Sequence, residues 1–187
     1  MRYLVSLAAI LAAGPACAHS GHAEGGAFLA GFLHPVSGLD HVLAMLAVGL
    51  VAAFAGGMAR VALPMSFLGA MLTGFVLSAG KIIALPAYEA MILASVFGLG
   101  LALAFALRLP LLPSMAVLGV FGLAHGFAHG VEGAPNTGYV AGFLLATANL
   151  HLAGLAIGVA TLRLEKPVIQ RGAGLAILAA GAALAFA

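Results

Sequence analysis

Charge is what this chain of 187 residues most lacks: seven lysines and arginines and five acidic residues amount to 6% of it, against 64% hydrophobic. A soluble domain carries about a quarter charged residues, so most of this surface is excluded from facing water. The net charge of +2 comes without any basic cluster, which leaves no footprint for nucleic-acid phosphates. Cysteine is reduced to Cys17, and one thiol excludes both an internal disulfide framework and a sulfur-rich metal site. No phosphate-cradling glycine loop occurs, so this chain does not itself hydrolyse nucleotide. Glycine is plentiful, at 26 residues in apolar surroundings, as in membrane helices that pack closely through small residues.

The first residues read as an export signal. Met1-Arg2 precede an apolar run from Leu4 to Ala13, followed by Gly14-Pro15-Ala16-Cys17-Ala18. A basic start, an apolar middle too short to span and small residues before a cut form the three-part secretory pattern. The expected signal peptide is 1–18, cut after Ala18; a lipoprotein cut before Cys17 is the competing option, which Gly14 and Pro15 fit poorly. The new N-terminus would begin His19-Ser20-Gly21-His22. An α-amine and the His19 imidazole chelate late transition metals, and His22 offers a third nitrogen. The bland alternative is a polar leader whose histidines bind nothing. Residues 19–38 form this periplasmic leader, with a short interfacial or re-entrant stretch at Ala27–Leu33.

Residues 39–187 divide into six apolar segments, Leu39–Gly57, Val61–Gly80, Ala87–Leu107, Leu111–Val131, Gly138–Leu162 and Ile169–Ala187. Each is close to the roughly 20 residues that cross a hydrocarbon core of about 30 Å. The expected fold class is therefore all-α: a polytopic six-transmembrane-helix bundle following a cleavable signal peptide. An exported N-terminus puts Arg60, Arg108, Arg163, Lys166 and Arg171 in the cytoplasm and only Lys81 outside. That agrees with the positive-inside rule and places both termini in the periplasm, with the chain in a bacterial inner membrane.

Ionisable residues within such segments are functional candidates, because burying them in lipid is costly. His34, Asp40 and His41 enter the first segment, Glu89 starts the third, His125, His129 and Glu132 close the fourth, and His151 lies within the fifth beside Asn149. The topology gathers most of them at the outer side. His125 and His129 stand four residues apart, so they share one helix face at a spacing suited to gripping one ion. Asp40 and Glu89 can complete a nitrogen and oxygen shell or orient an imidazole. Such donors suit Ni²⁺, Co²⁺ or Zn²⁺ rather than Cu⁺. Each residue also has a structural reading: Ser37 and Asp40 have capping-box spacing, Glu89 can pair with Lys81, Glu132 can be a solvated loop acid, and His151 can simply link helices.

The run His34-Pro-Val-Ser-Gly-Leu-Asp40-His41-Val-Leu-Ala-Met45-Leu-Ala-Val-Gly49 resembles the signature of the HupE/UreJ proteins. His125-Gly126-x-x-His129-Gly130-x-Glu132, Glu89 and Tyr139-x-x-Gly142-Phe143-x-x-Ala146-Thr147-x-x-Leu150-His151 extend the likeness over nearly all of the mature chain. The resemblance implies a bacterial permease for nickel, in some members cobalt, that supplies hydrogenase or urease maturation. It points to His34, Asp40, His41, Glu89, His125, His129 and Glu132 as the residues that handle the ion. The partners expected are the divalent ion and the bilayer, with room for a homo-oligomer and for hand-over to nickel chaperones; no prosthetic group is expected. Two rivals use the same side chains: a membrane metal sensor or assembly partner that moves no ion, and an intramembrane metalloenzyme. The His-Glu-x-x-His helix motif that would favour the enzyme does not occur.

Overall fold

The computed structural model describes residues 23–164 and 167–186, and the regular elements among them are all α-helices. In chain order they are α1 (Ala23–Ser37), α2 (Leu39–Ala55), α3 (Ala59–Ala79), α4 (Tyr88–Ala104), α5 (Leu111–Glu132), α6 (Thr137–Arg163) and α7 (Pro167–Ala185). The six apolar segments correspond to α2 to α7 within a few residues at each end. The signal segment 1–18, its two alternative cuts, His19 and His22 lie outside the described residues.

Local chemistry sets the breaks. Gly38 is extended, at φ −95° and ψ 118°, between α1 and α2, which interrupts the helical hydrogen-bond ladder. Gly56 and Gly57 take φ of 76° and 51° between α2 and α3, a left-handed turn that glycine makes at no steric cost. Pro110 precedes α5, and the Asn136 side chain caps α6 by accepting from the Tyr139 backbone N–H at 2.8 Å.

The short stretch expected at Ala27–Leu33 is larger than its apolar run suggested. It belongs to the 15-residue helix α1, bent 82° from α2 across the break at Gly38. Hydropathy missed its full length because Glu24, His34 and Ser37 lie in or beside it. Four helices, α3, α5, α6 and α7, are long and apolar enough to cross a membrane, or five if the bent α1–α2 pair is one span. At 17 residues each, α2 and α4 reach about 26 Å at ~1.5 Å per residue.

The helices pack chiefly in pairs: α3 with α5, α2 with α6, α1 with α6, and α4 with α7. Close approaches give their directions. Phe67, Met71 and Phe75 of α3 meet Gly122, Gly126 and Gly130 of α5 in that order, so the two run parallel. Leu46 and Leu50 of α2 meet Gly154 and Gly158 of α6, also parallel, whereas α4 and α7 run antiparallel. Met45, Val48, Leu63, Phe67, Met71 and Phe143 fill the centre, while Leu72, Val76, Leu145, Leu152 and Ile157 of the same helices point outward. Such an apolar exterior fits lipid rather than water.

Glycine sets the α3–α5 spacing. A Cβ on Gly126 would overlap the Met71 carbonyl oxygen, and one on Gly122 would overlap that of Phe67. Because the obstruction is backbone, a helix must move to relieve it. Gly69 of α3 faces open space, where an added methyl meets nothing. Gly126→Ala is therefore expected to destabilise the chain by about 1–3 kcal/mol, while Gly69→Ala leaves it unchanged or slightly firmer. Thermal unfolding of both variants in detergent checks this; equal melting temperatures would refute the tight α3–α5 contact.

Candidate metal centre

The first turn of α2 fixes the first imidazole. Asp40 Oδ1 accepts from the His41 backbone N–H at 2.7 Å and from the His41 ring at Nδ1, 2.9 Å away. The expected capping box is not formed: the N-cap is Gly38, and Ser37 Oγ instead donates to the His34 carbonyl at 2.7 Å. The break falls one residue later than that pattern needs, which frees Asp40 for His41. With Nδ1–H held by the carboxylate, the lone pair of His41 is on Nε2. That atom is buried and has no hydrogen-bond partner among the described residues.

The same arrangement recurs on α5 and α6. His125 is fully buried, with Nε2 3.0 Å from Ser95 Oγ of α4. The Ser95 hydroxyl donates its own proton to the Ile92 carbonyl at 2.6 Å, so it accepts from His125 Nε2–H and leaves the lone pair on Nδ1. His151 donates from Nδ1 to the Met45 carbonyl of α2 at 2.9 Å, which leaves the lone pair on Nε2. His129, also fully buried, places Nδ1 3.4 Å from the Tyr139 hydroxyl and lies flat on Phe143, with ring centres 4.6 Å apart. His125 Nδ1, His129 Nε2 and His151 Nε2 all lack a hydrogen-bond partner among the described residues.

These rings form a connected group. His41 packs edge-on against His125 at 4.5 Å and against His129 at 5.3 Å between ring centres, and His34 lies 4.7 Å from His129. His41, from another helix, thus packs against both His125 and His129, the pair singled out by their spacing. His34 Nε2 sits 3.1 Å from Glu132 Oε2, which joins α1 to the end of α5. Above the rings opens a cavity of about 330 Å³ lined by His34, Asp40, His41, Glu89 and Glu132. Glu89 accepts from the Tyr88 hydroxyl at 3.2 Å, and the ion pair with Lys81 that its position allowed is absent among the described residues. Glu132 is exposed, yet it is engaged with His34 rather than merely solvated.

Beyond His125 the group is interrupted. The Phe67 ring packs against both His125, at 5.3 Å, and His151, at 5.1 Å, and His151 lies one further step along the bundle from the outer tier of imidazoles. Asn149, expected beside His151, is exposed on the other face of α6; the buried polar neighbour on this face is Thr147. Sequence reading also missed Ser95 and the Met45 carbonyl, and Tyr139 entered it only within a motif. A lone hydroxyl in an apolar helix and a backbone oxygen carry no pattern, and only tertiary contact reveals them. Among the described residues, no three His, Cys, Asp or Glu side chains are gathered closely enough to hold an ion where they now stand. The donors meet pairwise, ring on ring, rather than around one point.

Comparison with known proteins follows the same lines. The HupE / UreJ protein family matches residues 7–184. Protein HupE of Rhizobium leguminosarum bv. viciae is 47% identical over 186 residues, covering 96% of this chain and 94% of that protein. No solved structure matches.

Among the described residues, Asp40 hydrogen-bonds to no ring but His41, and its carboxylate fixes that ring's tautomer. Asp40→Asn retains the shape but not the charge, and its amide can present the wrong hydrogen-bonding group to Nδ1. It is expected to lower affinity for a divalent first-row ion about 10–100-fold with helix content unchanged. Calorimetric titration of the purified chain measures this, and unaltered affinity would remove Asp40 from the site.

Proposed function

Because the chain belongs to the HupE/UreJ family, we propose that it is a permease carrying a divalent transition-metal ion, Ni²⁺ before Co²⁺, inward across the bacterial inner membrane. The observation that carries this reading is the set of four buried imidazole nitrogens without partners, on His41, His125, His129 and His151. Leaving a buried polar atom unpaired costs about 1–3 kcal/mol, so four in one region call for a ligand. Lone pairs on neutral imidazoles are ligands for late transition metals, and their opposite nitrogens are held as oriented metal ligands are. Imidazole and carboxylate without thiolate favour Ni²⁺ or Co²⁺ over Cu⁺.

The route begins at the acidic cavity. Asp40, Glu89 and Glu132 at its edge attract the hydrated cation, His34 and His41 begin to replace its water, and His129 and His125 take it deeper. The leader histidines His19 and His22 collect ions ahead of this cavity, after cleavage behind Ala18. Six spans, α2 to α7, with both ends periplasmic are supported by the basic residues and by helix direction: the parallel pairs α2–α6 and α3–α5 and the antiparallel pair α4–α7 fit strict alternation. The transport is secondary or facilitated, and the delivered ion passes to nickel chaperones for hydrogenase or urease maturation. Donors that meet in pairs rather than as a closed shell suit an ion in passage. A sensor, an assembly partner or a metalloenzyme would bind the ion without moving it.

Radioactive nickel uptake into proteoliposomes tests this, with cobalt and zinc as competitors. The unmodified chain is expected to accumulate nickel, cobalt to compete, and the double variant His125→Ala/His129→Ala to fall to the level of empty vesicles. Undiminished uptake by the double variant, inserted at normal level, would sink the assignment.

A further inference from the structure

Four side chains on one face of α6, Tyr139, Phe143, Thr147 and His151, are all buried and spaced at four residues. That spacing stacks them along the helix at about 6 Å per step. The outer two serve His129: the Tyr139 hydroxyl lies beside its Nδ1 and Phe143 lies under its ring. The inner two stand apart from His129, and Thr147 has had no role so far.

Thr147 is the more informative of them. A threonine in a helix commonly turns its hydroxyl back onto a carbonyl one turn earlier. In this chain Thr73 donates to the Gly69 carbonyl at 2.9 Å, and Thr161 donates to that of Gly158 at 2.8 Å. Thr147 Oγ1, fully buried, has no such bond and no other partner among the described residues. One turn further along the same face, His151 is 2% exposed and equally unpartnered at Nε2. Its ring is locked by the Nδ1 bond to Met45, so this lone pair has a fixed direction. Phe67 packs against the rings of both His151 and His125, and α6 carries His151 about 12 Å beyond Phe143, which lies under His129, so the pair lies inward of the outer tier.

We propose that Thr147 Oγ1 and His151 Nε2 form a second, inner station for a divalent first-row transition-metal ion, reached after the outer imidazole tier. The inference rests on the reading of the outer tier as an ion path. An oxygen and a nitrogen one helical turn apart give a sparse shell, which holds an ion less firmly than the imidazoles outside and releases it inward.

The test uses the full chain, nickel alone as probe, and two measurements: equilibrium binding in detergent and uptake into proteoliposomes. Thr147→Val keeps the shape and removes an unpaired hydroxyl, so the fold loses nothing and the melting temperature stays equal or rises. Thr147→Val is expected to bind nickel at the outer tier as the unmodified chain does, and both it and His151→Gln to transport nickel about 10–100-fold more slowly. Thr147→Ser restores the rate. Uptake at the original rate in both variants overturns the inner station. So does loss of nickel binding together with uptake in Thr147→Val, since the two tiers would then be one site. An unmodified chain that binds no nickel overturns the outer reading, and the inner station with it.

Discussion

An imidazole has two ring nitrogens, and in a dry interior each needs a partner. The centre of this molecule meets half of that demand. Asp40, Ser95 and the Met45 carbonyl each take the N–H of one ring, and the other nitrogen of that ring is left with a lone pair and, among the described residues, nothing to accept from. A purely structural histidine would be better served by two partners, or replaced by an apolar residue of similar size. The one-sided arrangement is that of a metal ligand steadied from behind. It also fixes which nitrogen of each ring carries the free lone pair: Nε2 for His41 and His151, and Nδ1 for His125.

Holding those rings in place depends on how closely the helices approach. His125 and His129 sit on either side of Gly126, the residue whose hydrogen-only side chain admits the Met71 carbonyl of α3. On the other side of the bundle, Gly49 and Gly154 let α2 and α6 touch along the stretch where the His151 ring reaches Met45. Small residues at both contacts leave no slack between backbones, so the rings inherit their positions from main chain rather than from flexible side-chain packing. Backbone contact also explains why so apolar a chain carries so many glycines despite their poor helix propensity.

Much of this was legible in the sequence, because lipid imposes blunt rules. Long apolar runs, basic residues on alternate loops and costly ionisable groups located α2 to α7 and the residues that line the cavity. The spacing of His125 and His129 revealed a shared face, but it could not show that His41 would pack against both. The capping-box spacing of Ser37 and Asp40 misled, since the chain breaks at Gly38 and Asp40 turns to the next residue instead. Thr147 was quoted only within a motif, and Asn149 was preferred beside His151 by proximity in sequence. Helical geometry decides otherwise: the residue four before His151 shares its face, and the residue two before it lies on the opposite side.

On the proposed reading, the gradation of donors from outside to inside bears on how an ion path can both select and conduct. Carboxylates line the exposed cavity, where water still solvates them and a cation is drawn in without being stripped. Neutral imidazoles follow where water is excluded, and they offer bonds that a hard ion such as Mg²⁺ gains little from and a late transition metal gains much from. A closed shell of four or more of these donors would select strongly and release slowly, as structural metal sites do. Rings that meet in pairs, with His41 against both His125 and His129, offer a few ligands at a time. On the proposed reading, an ion in passage is then never held by everything at once, and each bond it gives up is replaced by the next one inward.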